Sequence, residues 1–223
     1  LVTNAQRAHL EGMGDLDEVA REKGAIFSGL PAEGVAVINA DDSYAGYWRG
    51  VAAGRPVRSF AIDGAADVVG KVRQHGLETA IDLSAPDGDY GIFRDLLVAE
   101  GLAGFAGTRG RLQRRAGPQG ALILDDTYNA NPDSVRAGID VLASTIGRKL
   151  LILGDMGEIG EACAQYHDEI GGYAKSQGVD LLFALGEATK AAVRNFGDGA
   201  RHFCHVDKLI AAADKELGPD TTV

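Results

Sequence analysis

Cysteine is scarce in this sequence, and its scarcity disfavours two common kinds of protein. The only two cysteines, Cys163 and Cys204, form no Cys-x-x-Cys pair. A chain of 223 residues with so few cysteines does not resemble a disulfide-stapled secreted scaffold, and a reducing cytoplasm suits it best. The spacing of the cysteines relative to His202 and His205 also differs from that of a zinc site, so we expect structural or surface roles for these four residues.

Long apolar runs and an excess of positive charge are also missing. No apolar run is long enough to span a bilayer, and Leu1 to Asn4 lead into Gln6 and Arg7 rather than into a signal-peptide core, so no membrane partner is expected. A formal net charge of -10 gives no diffuse basic surface for a phosphate backbone, which disfavours nucleic acid as the main partner. The hydrophobic content of 45% is typical of a globular protein, and 223 residues are enough for one large or two modest domains.

A phosphate loop of the form Gly-x-x-x-x-Gly-Lys-[Ser/Thr] is absent from the sequence. The glycines between Leu153 and Gly160 match a dinucleotide-binding loop poorly, because their spacing is Gly-x-x-Gly-x-x-Gly and Asp180 begins its predicted strand instead of ending it. An anionic nucleotide would therefore need a local basic pocket or a metal ion.

The pattern of apolar residues predicts an α/β fold in two domains, 1–107 and 108–223, with the boundary in the glycine-rich, basic stretch Gly107–Gly110. In the second domain, strands and helices alternate with short loops, which indicates a Rossmann-like, doubly wound parallel sheet. The predicted helices are 15–27, 132–144, 163–176, 188–195 and 207–217, and the predicted strands are 35–38, 57–62, 68–72, 79–83, 121–124, 149–153, 180–185 and 221–223.

Polar side chains follow the predicted strands of the first domain. His9 comes after an apparent strand end, where parallel sheets present ligand-binding loops, although a capping or packing role also explains it. Asp41 and Asp42 suit a ribose, an adenine or a hydrated cation as well as they suit the N-cap of the next helix. Lys23, considered alone, is a solvated cation near a helix C-terminus.

The most informative polar stretch begins at Asp125. A predicted buried strand ends in two carboxylates, Asp125 and Asp126, and the phenol of Tyr128 follows. A helix N-cap at Asn131 or Asp133, with a proline in the first turn, explains part of this polarity. It does not explain Asp125, Asp126 and Tyr128 together, so we expect a functional site here.

These motifs, in this order, resemble those of the Mur ligases, and Asp-Asp-Thr-Tyr-Asn-Ala-Asn-Pro is typical of the branch that adds D-alanyl-D-alanine. The similarity extends through nearly the whole chain. The matching stretches are Asn4–Glu11, Lys23–Phe27, Asn39–Asp42, Gly110–Leu112, Asp125–Ser134 and Leu153–Glu158.

The resemblance implies part of a P-loop-type central ATPase domain followed by a Rossmann-like C-terminal ligase domain. It also implies that a phosphate loop and a UDP-sugar domain precede Leu1. Between Asp89 and Leu102 the family usually has a Gly-x-His-Asn segment and an alanine-rich helix, whereas this sequence has Tyr90–Asp95.

The activity implied by the resemblance is ATP-dependent carbon–nitrogen ligation in peptidoglycan precursor synthesis. ATP phosphorylates the carboxylate of UDP-N-acetylmuramoyl-tripeptide, and the amine of D-alanyl-D-alanine attacks the acyl phosphate and displaces phosphate. We expect ATP and Mg2+ as cofactors and a cytoplasmic monomer as the working form. Another Mur-type or folylpolyglutamate-type amide ligase and a non-catalytic nucleotide-binding module are the alternatives.

The resemblance also implies roles for individual residues. His9 resembles a magnesium ligand, and Lys23 resembles the family's carbamylated lysine, whose carbamate is an acidic metal-site group. Arg111 resembles an arginine that reaches nucleotide phosphate, and Asp126 resembles the ribose-binding carboxylate. The other expected site residues are Asn39, Asp42, Tyr128 and Asn131 for the cofactor, and Asn129, Ser134 and His167, with the Gly154–Glu158 loop, for the substrate.

Overall fold

The structure, a computed structural model of the chain, describes residues 1–75, 78–84 and 108–223. The chain divides into two compact units, Leu1–Gln6 with Met13–Ala106 and Arg7–Gly12 with Gly107–Val223. The short segment Arg7–Gly12 therefore belongs to the second unit, although it lies near the start of the chain. The stretch 90–95, where the sequence departs from the Mur pattern, lies outside the described residues.

The first unit contains a four-stranded sheet with helices packed against it. Strands β1, β2 and β3 are parallel in that order, and β4 pairs with β3 in the antiparallel direction. Phe27, Ile38 and Trp48 are fully buried and form the centre of its core. Helix α1 (Leu10–Met13) begins in the segment Arg7–Gly12 of the second unit, and the elements that follow are α2 (Leu16–Ser28), β1 (Ala36–Asn39), α3 (Ala45–Val51), β2 (Val57–Ala61), β3 (Val68–His75) and β4 (Glu78–Ser84).

Helix α2 illustrates how local sequence determines an element. Asp15 is its N-cap, and the Asp15 carboxylate accepts the backbone N–H of Glu18 at 2.8 Å, which satisfies a donor that the helix itself leaves free. The indole N–H of Trp48, on α3, donates to the carbonyl of Ala20 at 2.8 Å. A Cβ on Gly24 would lie only 2.9 Å from the Trp48 ring, so the lack of a side chain there lets α3 approach α2 closely.

The second unit contains a six-stranded sheet in the order β5-β6-β10-β7-β8-β9. The last five of these strands are parallel, and β5 is an antiparallel edge strand paired with β6. The elements are β5 (Gln113–Ala116), a 3-10 turn (Pro118–Gly120), β6 (Leu122–Asp125), α4 (Pro132–Ala143), β7 (Arg148–Gly154), α5 (Cys163–Ser176), β8 (Leu181–Leu185), α6 (Thr189–Phe196), β9 (Ala200–Phe203), α7 (Val206–Ala213) and β10 (Thr221–Thr222).

Both faces of this sheet are covered by helices. Leu182 and Phe183 are neighbours on β8, so their side chains point to opposite faces. Leu182 belongs to the core cluster that includes Ile139 of α4 and Ile170 of α5, whereas Phe183 belongs to a second cluster with Leu209 of α7. The predicted doubly wound α/β arrangement is therefore confirmed.

The helix bounds differ from prediction chiefly at the end of the chain and where no strong apolar pattern exists. The helix predicted at 207–217 ends at Ala213, and α3 was not predicted. Strand β5 was also missed, because Gln113–Ala116 is mostly polar and gains its extended form from pairing with β6. Among the described residues, no helix is long and apolar enough to cross a membrane.

Candidate functional site

The carboxyl ends of β6 and β7 open into a cavity of about 770 Å³ in the second unit. Its apolar lining includes Ile139, Leu142 and Val223. The polar residues of the cavity mouth are Asp125, Asp126, Thr127, Asn129 and Asp155, with Gly154 and Gly157 beside them.

The two carboxylates at the end of β6 differ in availability. Asp125 accepts the hydroxyl of Thr127 at 2.7 Å and lies 3.1 Å from the guanidinium of Arg115. The hydrogen bond from Thr127, which outweighs burial, lowers the pKa of Asp125. Within the described part of the chain, Asp126 accepts one hydrogen bond, from the backbone N–H of Leu112 to Oδ1 at 3.1 Å. Asp126 therefore has more acceptor capacity left than Asp125, and its predicted contact with a ribose stays a prediction.

Arg111 stacks on Tyr128 beside these carboxylates. The Arg111 guanidinium carbon lies 4.2 Å from the centre of the Tyr128 ring, and both side chains are exposed. The Tyr128 backbone N–H donates to the Gly110 carbonyl at 2.9 Å. Gly110 has φ +72°, and a Cβ there would lie 3.0 Å from the Tyr128 nitrogen, so this close turn requires glycine. Stacking leaves the edge N–H groups of Arg111 free to meet an anion.

Asn131 and Ser134 form the capping box of α4. The Asn131 side chain accepts the backbone N–H groups of Asp133 and Ser134, and the Ser134 hydroxyl oxygen accepts the N–H of Asn131. The cap engages the Asn131 side-chain oxygen and the Ser134 hydroxyl, and the predicted contacts of both residues with cofactor and substrate remain predictions. Asn129 is exposed at the cavity mouth, and its side-chain oxygen accepts the backbone N–H of Ala130 at 2.9 Å.

His9 faces the Gly154–Glu158 loop. His9 Nδ1 lies 2.6 Å from Glu158 Oε2, and the N–H of Glu11 donates to the Glu158 carbonyl at 3.2 Å. Both His9 (φ 59°) and Glu158 (φ 57°) have left-handed backbone conformations, which are uncommon for residues other than glycine. Two strained residues that hold each other in place are typical of functional sites.

Arg7 is a site neighbour that sequence reasoning missed. Its guanidinium lies 2.7 Å from Asp133 and 3.2 Å from Glu169, and it stacks over the ring of Tyr166 at 5.0 Å. Burial raises the pKa of Asp133, but the hydrogen bonds and charge of Arg7 outweigh it and lower that pKa overall. No local pattern distinguishes Arg7 from other arginines, because its partners are 126 and 162 residues away in the chain.

Lys23 lies in the first unit and is half-buried. Its ammonium group donates to the carbonyl of Asn4 at 2.8 Å, which joins α2 to the segment that follows Val2. As an ammonium ion it is not a metal ligand, whereas a carbamate would keep one N–H for Asn4 and add a carboxylate. Throughout residues 1–75, 78–84 and 108–223, no group of three or more His, Cys, Asp and Glu side chains is placed to hold a metal ion.

Asn39 and Asp42 hold the start of the chain against β1. The Asn39 amide donates to the carbonyl of Thr3 at 2.8 Å, and its oxygen accepts the N–H of Asp41 at 3.0 Å. The Asp42 carboxylate accepts the backbone N–H groups of Ala5 and Tyr44, both at 2.8 Å. These contacts order the first unit locally, and the predicted contacts with adenine stay predictions.

His167 is fully buried behind the Gly154–Glu158 loop. Its Nε2 accepts the backbone N–H of Met156 at 3.0 Å, and its Nδ1 lies 2.8 Å from the carbonyl oxygen of Cys163. A ring without exposed surface does not touch a ligand in this arrangement. Any role of His167 in substrate binding is therefore indirect, through the loop that it supports.

Comparison with known proteins agrees with this architecture. The family profile described as "Mur ligase middle domain" matches residues 1–97, and the profile "Mur ligase, glutamate ligase domain" matches residues 110–223. A crystal structure of MurF from Acinetobacter baumannii superimposes with a TM-score of 0.84 at 25% identity, and the match covers 98% of this chain and 54% of that one.

Two curated relatives carry the same name, UDP-N-acetylmuramoyl-tripeptide--D-alanyl-D-alanine ligase. The Escherichia coli (strain K12) protein is 35% identical over 236 residues, covering 94% of this chain and 52% of the relative. The Haemophilus influenzae protein is 31% identical over 246 residues, covering 97% and 53%. The chain thus spans about half the length of these relatives. The two family profiles together match residues 1–97 and 110–223, and the chain therefore belongs to the Mur ligase family.

Proposed function

We propose that this chain is the central and C-terminal part of an ATP-dependent ligase that joins D-alanyl-D-alanine to UDP-N-acetylmuramoyl-tripeptide in the cytoplasm. The observation that most supports the proposal is the cavity mouth, where Asp126 and Asn129 follow β6 beside the Gly154–Glu158 loop that follows β7. Parallel sheets bind ligands at this edge. The 35% identity to a relative of that name supports the substrate assignment.

In this proposal the tripeptide carboxylate attacks the γ-phosphorus of ATP, and ADP leaves. The dipeptide amine then attacks the acyl carbon, loses a proton, and phosphate leaves with the electrons of the carbon–oxygen bond. Negative charge develops on the departing ADP in the first step, and on the tetrahedral intermediate and the departing phosphate in the second, so a fixed cation is favourable. Arg111, already oriented by Tyr128, would meet the nucleotide phosphates, and Asp126 would accept the ribose hydroxyls.

The metal part of the proposal depends on a modification. We propose that Lys23 is carbamylated, so that its carboxylate and His9 contribute Mg2+ ligands, while Asn39, Asp42 and Asn131 border the nucleotide. The half-buried position of Lys23 and its single backbone acceptor, Asn4, are compatible with a carbamate N–H in place of the ammonium. Mg2+ would supply charge neutralisation at the phosphates.

Phosphate release by the full-length protein tests the proposal. Release should require ATP, the UDP-linked tripeptide and D-alanyl-D-alanine together, and omission of any one should abolish it. Lys23→Ala should lose release, whereas Lys71→Ala, an exposed lysine of the same unit, should keep it. Release with another amino acid instead of the dipeptide would assign a different amide ligase, and nucleotide binding without any turnover would favour a non-catalytic module.

A further inference from the structure

His167 supports a part of the cavity mouth that it does not itself reach. It lies in the second turn of α5, and its side chain is fully buried. A backbone N–H can only donate, so Nε2 accepts from Met156 and the ring proton lies on Nδ1, where it donates to Cys163. Both bonds require the same neutral tautomer, and each fixes the plane of the ring.

The loop in front of His167 is anchored on the inside and exposed on the outside. Met156 and Ile159 are buried, and the Asp155 carboxylate accepts the N–H of Thr189 at 3.0 Å. Between these anchors, Gly157 and Glu158 are exposed, and Gly157 lines the cavity. The backbone N–H of Met156 points inward and donates to His167 Nε2. This hydrogen bond holds the backbone just before Gly157, which lines the cavity, and so influences how the exposed turn faces the cavity.

We propose that His167 is a positioning residue for the incoming amine substrate, acting through the Met156 amide on the exposed turn at Gly157 and Glu158. This inference rests on the proposed ligase function, and it gives a specific role to a buried residue that does not reach the cavity. It predicts that what matters at position 167 is a hydrogen-bond acceptor at the place of Nε2. The donor at Nδ1 serves only to orient the ring.

Two substitutions in the full-length protein separate these atoms. The amide oxygen of His167→Gln is as many bonds from Cβ as Nε2 is, so this variant can still accept from Met156. The polar atoms of His167→Asn end at the place of Nδ1, so the Asn variant can still donate to Cys163 but leaves Met156 without an acceptor. Asparagine should raise the KM for D-alanyl-D-alanine about tenfold, the effect of one lost buried hydrogen bond, and glutamine should largely restore it.

The KM for ATP and the thermal midpoint provide the comparison. A positioning role predicts that the KM for ATP stays unchanged in both variants. It also predicts that the KM for the dipeptide rises in the Asn variant, which lacks the acceptor for Met156, and not in the Gln variant, even if both variants lose the same amount of thermal stability. Equal dipeptide KM values for the two variants, or a fall in midpoint with wild-type dipeptide KM, would overturn the proposal and leave His167 a core residue only.

Hydrogen exchange of the Met156 amide keeps this inference distinct from the ligase assignment. The amide should exchange faster in His167→Asn than in the wild type and recover protection in His167→Gln. If the wild-type protein shows no dipeptide-dependent turnover, the ligase assignment fails, and with it the substrate named here. If the exchange rate of Met156 is instead the same in all three proteins, the positioning role fails even when the ligase assignment stands.

Discussion

Single residues at the cavity mouth have distinct tasks, because their partners differ. Asp125 and Asp126 are adjacent, yet Asp125 is engaged by Thr127 and Arg115, whereas Asp126 accepts one backbone N–H. Asn131 and Ser134 appear in the same polar stretch but cap α4. Polarity in a loop therefore divides into atoms that build the loop and atoms that face the cavity, and only the second kind is available to a ligand.

The stacked pair of Arg111 and Tyr128 gives a test of nucleotide binding. Arg111→Lys keeps the charge but loses the planar group that stacks on the ring and donates two parallel hydrogen bonds. In the full-length protein we expect the KM for ATP to rise about tenfold, equivalent to ~1.4 kcal/mol, with little change in the KM for the dipeptide. Arg109→Lys, an exposed neighbour, is the matched control, and an equal effect of both substitutions would argue against a specific role.

The pairing of Asp133 with Arg7 predicts a pH dependence of stability. The folded pKa of Asp133 is lower than its ordinary value, so its contribution is complete above about pH 4 and disappears as pH falls through the folded pKa. At pH 7, Asp133→Asn should lower the free energy of unfolding by about 1 kcal/mol, and the difference from wild type should shrink below about pH 4.

Urea unfolding from pH 3 to pH 7 measures this difference. Asp207→Asn is the matched control, because Asp207 also lies in the first turn of a helix, α7, but is exposed. The control separates the general benefit of a first-turn carboxylate from the specific pairing with Arg7. A difference that persists unchanged at pH 3 would show that the Asp133 carboxylate is not the source of the stability.

Helices α5 and α6 of the second unit pack closely because α5 has glycine at the contact. Gly171 of α5 is buried against α6, and a Cβ there would lie 2.1 Å from the Ala192 carbonyl oxygen. At the next residue, Gly172, a Cβ would meet only the end of the Asn195 side chain, at 2.8 Å. The first neighbour is backbone and the second is a movable side chain.

Alanine at these two positions should therefore have different effects. Gly171→Ala forces the helices apart and should cost about 1–3 kcal/mol of unfolding free energy even after the gain in helix propensity of ~1 kcal/mol. Gly172→Ala should stay within about 1 kcal/mol of the wild type, because the Asn195 side chain can turn away. Chemical denaturation of both variants compares them, and equal losses would mean that the close approach of α5 and α6 is not what the glycine permits.

At the scale of the whole molecule, residues distant in sequence complete one unit. Arg7–Gly12 belongs with Gly107–Val223, where Leu10 is buried, Arg7 pairs with Asp133, and Glu11 binds the carbonyl of Glu158. The domain boundary predicted from the sequence, between residues 107 and 108, assigns Arg7–Gly12 to the first domain. No property of this segment by itself indicates that it packs with the second unit.

Residues 108–223 produced alone should be less stable than the same unit in the longer chain. Without Arg7 and Leu10, we expect the thermal midpoint to fall by several degrees, since each lost kcal/mol lowers it by about 4–8 °C in a domain of this size. Adding a peptide of residues 1–14 in excess should raise the midpoint, and the same peptide with Arg7→Met should raise it less. An unchanged midpoint for 108–223 alone would contradict a stabilising role of the segment.

The sequence by itself determined the α/β class, most strands and helices, and the polar stretch that follows β6. Apolar periodicity and capping residues act over a few neighbours, so Asp15 and Asn131 mark their helices without help from the fold. The family motifs likewise depend only on residue types in order, and the matched domains bear them out.

Tertiary structure alone decided which distant side chains meet and which are buried. It buried His167 behind the loop and brought Arg7 to Asp133 and His9 to Glu158. Edge strand β5 formed only because β6 offered it a partner. The physical reason is that these hydrogen-bond partners and this burial depend on contacts between separate elements, up to 149 positions apart for His9 and Glu158, which no local pattern contains.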